Sequence, residues 1–232
     1  LEHSPHYHQY GLRLLADYAR YQALQSRPVE TDFAERYKKA LEFYAVLRRD
    51  DGTLPKIGDT KGPALPTRSV TLDPSGFATR PRRRVPAPVG NGAYVYPASG
   101  FVVWWSGERN DGLESATTPR QLALSWSRFP SLAHKHADDL GLVLWNSDGN
   151  WLTAPGYWPY WSPLRQDALS WAASNAPHFV AEPTDTEINT ALLGHYYSSE
   201  FGVADVIRTT PSGTVFRRQL LRFAADELLI ID

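Results

Sequence analysis

The apolar positions of this chain change their period once, near residue 50. From Tyr10 to Gln25 the residues Leu12, Leu15 and Ala19, with Leu14, Tyr18 and Tyr21 beside them, recur at helical spacing. Arg27-Pro28 ends that run, since proline carries no backbone donor and fixes φ. A second helix is expected from Thr31 or Asp32, where Asp32 and Glu35 stand at capping-box spacing, with Phe33, Tyr37, Leu41, Tyr44 and Leu47 on one face. The two read as a helical hairpin. After Asp50-Asp51-Gly52 the chain to about Asn91 is rich in proline, glycine and arginine and has no sustained period, which reads as a long loop.

From Ala93 onward the pattern is that of short strands. The candidates are 93–96, 101–106, 121–126, 140–145, 178–181, 190–195, 203–209, 214–223 and 228–231, separated by Asp-Gly, Pro-Ser-Gly and similar turns. The expected fold class is α+β: a short helical segment over 1–50, a proline- and arginine-rich linking loop over 51–91, and a large antiparallel β-sandwich over 92–232.

Composition narrows the function classes. With 232 residues and 42% hydrophobic content the chain can bury a real core, and a formal net charge of −1 gives no global case for nucleic acid or a membrane surface. There is no run of 18 or more apolar residues, so membrane insertion as a helix is not expected. The absence of cysteine excludes disulfides and thiolate metal sites and leaves the redox compartment open. A start at Leu1 and the lack of methionine give the expectation that the chain is a piece of a longer product. No internal repeat or low-complexity tract is found.

The candidate chemistry lies in histidine and aromatic residues. His134-Lys135-His136 precedes the apolar run 140–145, and imidazoles at i and i+2 on extended backbone face the same side. His3, His6 and His8 form a second cluster, so five of the seven histidines sit in two short segments. Histidine is the side chain best placed to move protons or bind metal near neutral pH. The plain alternative is a solvated loop that happens to carry them. No G-x-S-x-G elbow, H-E-x-x-H helix or glycine-rich phosphate loop is present, which removes the commonest hydrolase, zincin and nucleotide readings. Trp104, Trp126 and Trp145 read as core, whereas Trp158 and Trp161, in the loop 155–161, are open to either a ligand or a structural role.

Four segments carry a resemblance. Glu2-His3-Ser4-Pro5-His6-Tyr7-His8 is similar to the E-x-S-P-x-Y-H segment of the heparinase II/III-like polysaccharide lyases, and Leu54-Pro55-Lys56-Ile57-Gly58-Asp59 to their L-P-x-I-G-D loop. His134-Lys135-His136-Ala137-Asp138 resembles their H-K-H-A-D motif, and 151–157 their W-L-x-D-P-G-x-Y segment, in the same order. The resemblance implies that the helical segment is the end of an α/α toroid and that most of the toroid lies elsewhere. It also implies β-elimination on a uronic-acid-containing acidic polysaccharide.

Under that resemblance Tyr7 is the tyrosine acid or base and His134 the active-site histidine, with Glu2, His8, Tyr157, Tyr160 and Arg165 on the substrate side. An upstream toroid asparagine or histidine would complete the site. His136 resembles a histidine that binds structural zinc together with a later histidine, for which His178 is the candidate. Here the sequence departs from the pattern: Ala154 occupies the expected aspartate position and has no ligand atom, so zinc is expected to be weak or absent, and His136 and His178 read alternatively as a hydrogen-bonded buttress. Arg80, Arg82, Arg83 and Arg84 read either as an anion-capturing run or as a solvated loop.

The resulting expectation is a periplasmic or secreted polysaccharide lyase. The glycan could be heparan-like, alginate-like or a bacterial exopolysaccharide. Two alternatives stand beside it: a carbohydrate-binding or export-associated protein of the same fold without turnover, and a structural sandwich module with no ligand.

Overall fold

The computed structural model describes residues 3–70, 73, 76, 78, 82–84, 89–107, 120–127, 134–184, 188–223 and 227–232. Two antiparallel helices come first, α1 (Pro5–Leu24) and α2 (Phe33–Leu47). Helix α1 begins earlier than its periodicity indicates, because Pro5 sits in the first turn, where its missing N–H costs nothing. Helix α2 starts where expected, but no capping box forms. Asp32 makes no side-chain cap and is held 2.6 Å from Arg36 Nη2 instead.

The strands follow in chain order. Within the proline-rich stretch, β1 (Thr67–Ser69) and β2 (Arg82–Arg84) pair as a small ribbon. An antiparallel sheet of five strands runs β3 (Gly92–Tyr96), β4 (Phe101–Ser106), β5 (Arg120–Ser125), β6 (Leu142–Asn146) and β7 (Gly149–Leu152), each beside the next. A short helix α3 (Arg165–Leu169) and a single 3-10 turn (Trp171–Ala173) lead to the second sheet. It contains β8 (Asn189–Tyr197), β9 (Phe201–Thr209), β10 (Val215–Phe223) and β11 (Leu228–Ile231), again in sequential antiparallel order.

Strand β4 explains how the layers stack. Its sequence, Phe-Val-Val-Trp-Trp-Ser, lacks polar alternation, and all six residues are buried. Such a strand must be covered on both faces. Phe101, Val103 and Trp105 join Ala123, Val143 and Trp145 against the helices, in one core with Leu12, Phe33, Tyr37, Tyr44 and Leu47. Val102 and Trp104 point the other way, with Leu122, Leu124 and Leu142, against Ala204, Val206 and Leu220 of the second sheet. The five-stranded sheet is therefore the middle layer of three. Trp104, Trp126 and Trp145 are core residues, as expected.

Polar contacts fix the helices on the sheet. The C-terminal carbonyls of α2 would otherwise be buried without donors. Gln121 Nε2 donates to Val46 O and Leu47 O at 3.0 Å, and Trp105 Nε1 donates to Val46 O at 2.8 Å. Arg49 Nε in turn holds Gln121 Oε1 at 2.9 Å.

One expected strand does not form. Residues 178–181 make a turn, closed by Glu182 N donating to Phe179 O, with Ala181 at φ +57°. The short apolar run His178-Phe179-Val180 satisfies a strand pattern, yet Glu182 draws it away by accepting from Phe179 N and by pairing with Arg208. Strand β7, conversely, has too few apolar positions to show a period of two, and it overlaps the start of the motif segment 151–157.

Candidate active site

Three loops and the start of α1 are laced together by backbone contacts. Leu54 and Ile57 anchor the first loop by burial in the helix-facing core. Beyond them, Asp59 N donates to His134 O at 2.8 Å and Gly58 N to Asp138 Oδ2 at 3.0 Å. This approach requires glycine: Gly58 has φ +52°, and a Cβ there would lie 2.5 Å from His134 O. The third loop docks on the first in the same way. Tyr157 N donates to Thr60 O at 3.0 Å, and a Cβ on Gly156 would lie 2.4 Å from that oxygen. Ser4, just before α1, meets Thr60 through their hydroxyls at 3.1 Å.

The Asp59 carboxylate stands at the centre of this lacework and is fully buried. Oδ1 accepts from His136 Nε2 at 2.8 Å. Oδ2 accepts from Arg165 Nη2 at 3.1 Å, lies 3.2 Å from His134 Nδ1, and accepts from the Tyr160 hydroxyl at 3.1 Å. Burial alone would raise the Asp59 carboxyl, but hydrogen bonds from His136, Arg165 and His134 outweigh it and hold the group far below the usual carboxylate range. The group is thus an anion at every working pH.

Around that anion the reactive side chains converge. The Tyr7 ring, in the first turn of α1, stacks on the His134 imidazole with centroids 3.5 Å apart. The Tyr160 hydroxyl is 3.0 Å from His134 Nδ1. Burial of that hydroxyl, then the neighbouring Tyr7 and Asp59, push Tyr160 well above the ordinary tyrosine value, so it stays protonated. The Tyr157 ring meets Tyr160 at 5.9 Å and lies under Lys61 Nζ, 4.4 Å from the ring centroid. Trp161, 86% exposed, stands at the rim. The arrangement offers one imidazole, two phenols and a cationic rim over a buried carboxylate, which suits proton transfer on an anionic substrate.

Other expected residues fall elsewhere. Arg165 is only 8% exposed and directs Nη1 to Trp158 O at 2.6 Å as well as Nη2 to Asp59, so it braces the site from behind the Tyr160 ring. His8 turns toward α2, its Nε2 2.8 Å from Ala40 O. Glu2 and Arg80 lie outside the described residues, and Arg82–Arg84 are described only as a strand.

The histidines that the resemblance assigns to zinc have other partners. His136 Nε2 is committed to Asp59, His178 Nδ1 faces Ala176 O at 2.8 Å, and Ala154 supplies no donor atom. Among the described residues no group of three or more His, Cys, Asp or Glu is placed to hold a metal ion. The residues present do not fit the zinc site that the resemblance implies.

Sequence reasoning does not single out Asp59 or Lys61 as site residues, although Asp59 ends the segment 54–59. Nothing in a single carboxylate announces that four partners, all far away in sequence, will meet it.

No protein-family model matches the chain, and no curated protein matches it. Solved structures do. A heparinase III gene product with methylated lysines superposes with a TM-score of 0.66 at 14% identity, over 97% of this chain and 36% of its own. The same gene product in another structure gives 0.66 at 11% identity, also over 97% and 36%. The heparan sulfate lyase HepC from Pedobacter heparinus gives 0.64 at 12% identity, over 98% of this chain and 37% of its own.

The likeness is one of fold. At these identities it shows that the helical segment and the sheets are arranged as in part of those lyases. The chain spans little more than a third of their length.

Proposed function

We propose that this chain carries part of the active site of a polysaccharide lyase that cleaves a uronic-acid-containing glycan by β-elimination. The observation that carries the reading is the Tyr7–His134 stack set beside the Tyr160 hydroxyl. β-Elimination needs little else from side chains. A base removes the C5 proton, whose electrons form the C4–C5 double bond as the C4–O bond breaks, and an acid protonates the departing oxygen. The uronate carboxylate must be met by positive or donating groups while charge develops on it.

Tyr7 and His134 are the proton-handling pair. Tyr160, held protonated, gives its hydroxyl hydrogen to Asp59 and keeps its oxygen beside His134. Lys61 supplies positive charge at the rim. The stacked edge of the pair and the exposed face of Trp161 form the platform for sugar rings, since aromatic faces pack well on them. Arg165 orients the loop and does not touch the glycan. Acidic glycans of this kind lie outside the cytoplasm, so the reading carries with it a periplasmic or secreted protein. The fold neighbours' names favour a glycosaminoglycan as the first substrate to try.

Far-ultraviolet absorbance of an unsaturated uronate, followed while heparan sulfate, other glycosaminoglycans, alginate and bacterial exopolysaccharides are offered in turn, tests the reading. Rising absorbance on one of them supports it. Binding of a glycan without that signal would favour a carbohydrate-binding protein, for which the exposed Trp161 is the anchor.

A further inference from the structure

Asp59 has no assigned role, yet it ties together the braced elements of the site. Its two oxygens meet His136, Arg165, His134 and Tyr160. Because its carboxyl is held far below the usual range, it is an acceptor only. That fixes where the protons are. His136 must carry hydrogen on Nε2. His134, which presents Nδ1 to the same carboxylate, must carry hydrogen on Nδ1, since a bare nitrogen lone pair 3.2 Å from a carboxylate oxygen would be repelled. The Tyr160 hydroxyl lies 3.0 Å from that nitrogen and 3.1 Å from Asp59 Oδ2, and of these two only the carboxylate can then accept its proton.

We propose that Asp59 is the positioning residue of the site: it locks His134 in the Nδ1–H tautomer, which leaves the basic lone pair on Nε2, and it aims the Tyr160 hydroxyl by accepting its hydrogen bond. The reading of His134 as a proton-transfer group, on which this rests, says only that the imidazole reacts. Asp59 decides which nitrogen does so. Neutralised by protonation or replaced by an amide, position 59 would offer His134 a donor as readily as an acceptor, and the tautomer preference would vanish. The same carboxylate ties loop 54–60 to loop 155–165 through Arg165, so the tautomer lock and the loop geometry are one device.

The chain's own histidines report on this without any substrate. Long-range ¹H–¹⁵N correlation spectra of the neutral imidazoles, recorded for the wild-type protein and for Asp59→Asn, give the protonated nitrogen of His134 directly. The expected result is Nδ1–H in the wild type and a mixture, or Nε2–H, in Asp59→Asn, while Tyr160→Phe keeps Nδ1–H. Nε2–H in the wild type overturns the proposal, even if Asp59→Asn fails to fold. An unchanged tautomer in a folded Asp59→Asn overturns it as well.

Turnover separates this from the lyase reading. In a form of the protein that is active, Asp59→Asn lowers kcat by at least about tenfold, as loss of an orienting carboxylate does elsewhere, with a smaller change in KM. A tautomer lock without lyase activity would leave Asp59 standing and remove only the proposed reaction.

Discussion

Tyr7 and His134 lie face to face, their ring centroids 3.5 Å apart and their planes 17° from parallel. One comes from the first turn of a helix and the other from a loop ahead of a central strand, so the docking of α1 on the middle sheet is what creates the site. The stack has a direct consequence for mutation. Tyr7→Phe keeps the ring and removes the hydroxyl, so turnover should fall by roughly 10²–10⁴-fold, the usual range for losing a positioned acid or base. Stability should change by no more than about 0.5 kcal/mol. Steady-state kinetics and denaturant melts of the same preparation check both, and full activity in Tyr7→Phe would remove tyrosine from the proton path.

Two glycines should respond with opposite sign. Gly58 has φ +52° and no room for a Cβ beside His134 O, so Gly58→Ala should destabilise the fold by more than about 1 kcal/mol and loosen Asp59 from His134. Gly11 lies inside α1, and nothing stands within 4 Å of the place a Cβ would take, so Gly11→Ala should stabilise by about 0.5–1 kcal/mol. Urea unfolding of both variants is the check. A neutral Gly58→Ala would mean that the two loops do not approach as closely as the structure places them.

Acid should weaken the protein before Asp59 is titrated. Burial lowers His3 from 6.5 to about 4, and burial also lowers His6 and His8. A histidine with a depressed folded value binds its proton less well when folded, so the stability it contributes is present above about pH 6.5 and is lost as pH falls toward about 4. For His3 alone this amounts to roughly 3 kcal/mol. Asp59, whose carboxyl is also depressed, adds a further loss at lower pH. Asp139 opposes them: burial raises it to about 6, despite Lys135, so its contribution is present in acid and is lost as pH rises through that value. The urea midpoint should therefore fall between pH 6.5 and 4, and His3→Gln should flatten the fall. A pH dependence that His3→Gln leaves unchanged contradicts the burial of that imidazole.

Zinc should leave the protein unmoved. With His136 Nε2 committed to Asp59 and no donor at position 154, added zinc has no binding free energy with which to raise the melting temperature. Thermal melts with zinc, with a chelator and without either should coincide. A stabilisation that grows with zinc concentration would show that His136 leaves Asp59 for the metal.

The layers are legible in the sequence for physical reasons that differ by element. Strand β9 alternates burial and is read from its period of two, whereas β4 is read as an unbroken apolar run. The stretch 178–181 has the same apolar look and is a turn, because the deciding contacts, Glu182 to Phe179 N and to Arg208, are not written in its own residues. The face of α1 is blurred for a related reason: Leu14 and Tyr21 share the apolar periodicity but stay exposed, while Ala16 is buried. At the site, the motifs locate Tyr7 and His134, and the resemblance adds Tyr160 and Arg165 on the substrate side. The roles are less legible: Arg165 braces from behind, and the carboxylate that organises them all stands 75 residues from His134 in sequence. Convergence of that kind is a property of the fold.

Tyr7 and His134 are proposed to perform β-elimination on a uronate. The most direct measurement is the far-ultraviolet absorbance of acidic glycans incubated with the longest form of the protein that contains these residues, in parallel with its Tyr7→Phe and His134→Ala variants. Absorbance should rise with at least one glycan, from an unsaturated uronate at the new chain end, and should be lost in both variants. Equal rates in the wild type and the two variants, or cleavage that yields only saturated ends, would contradict it.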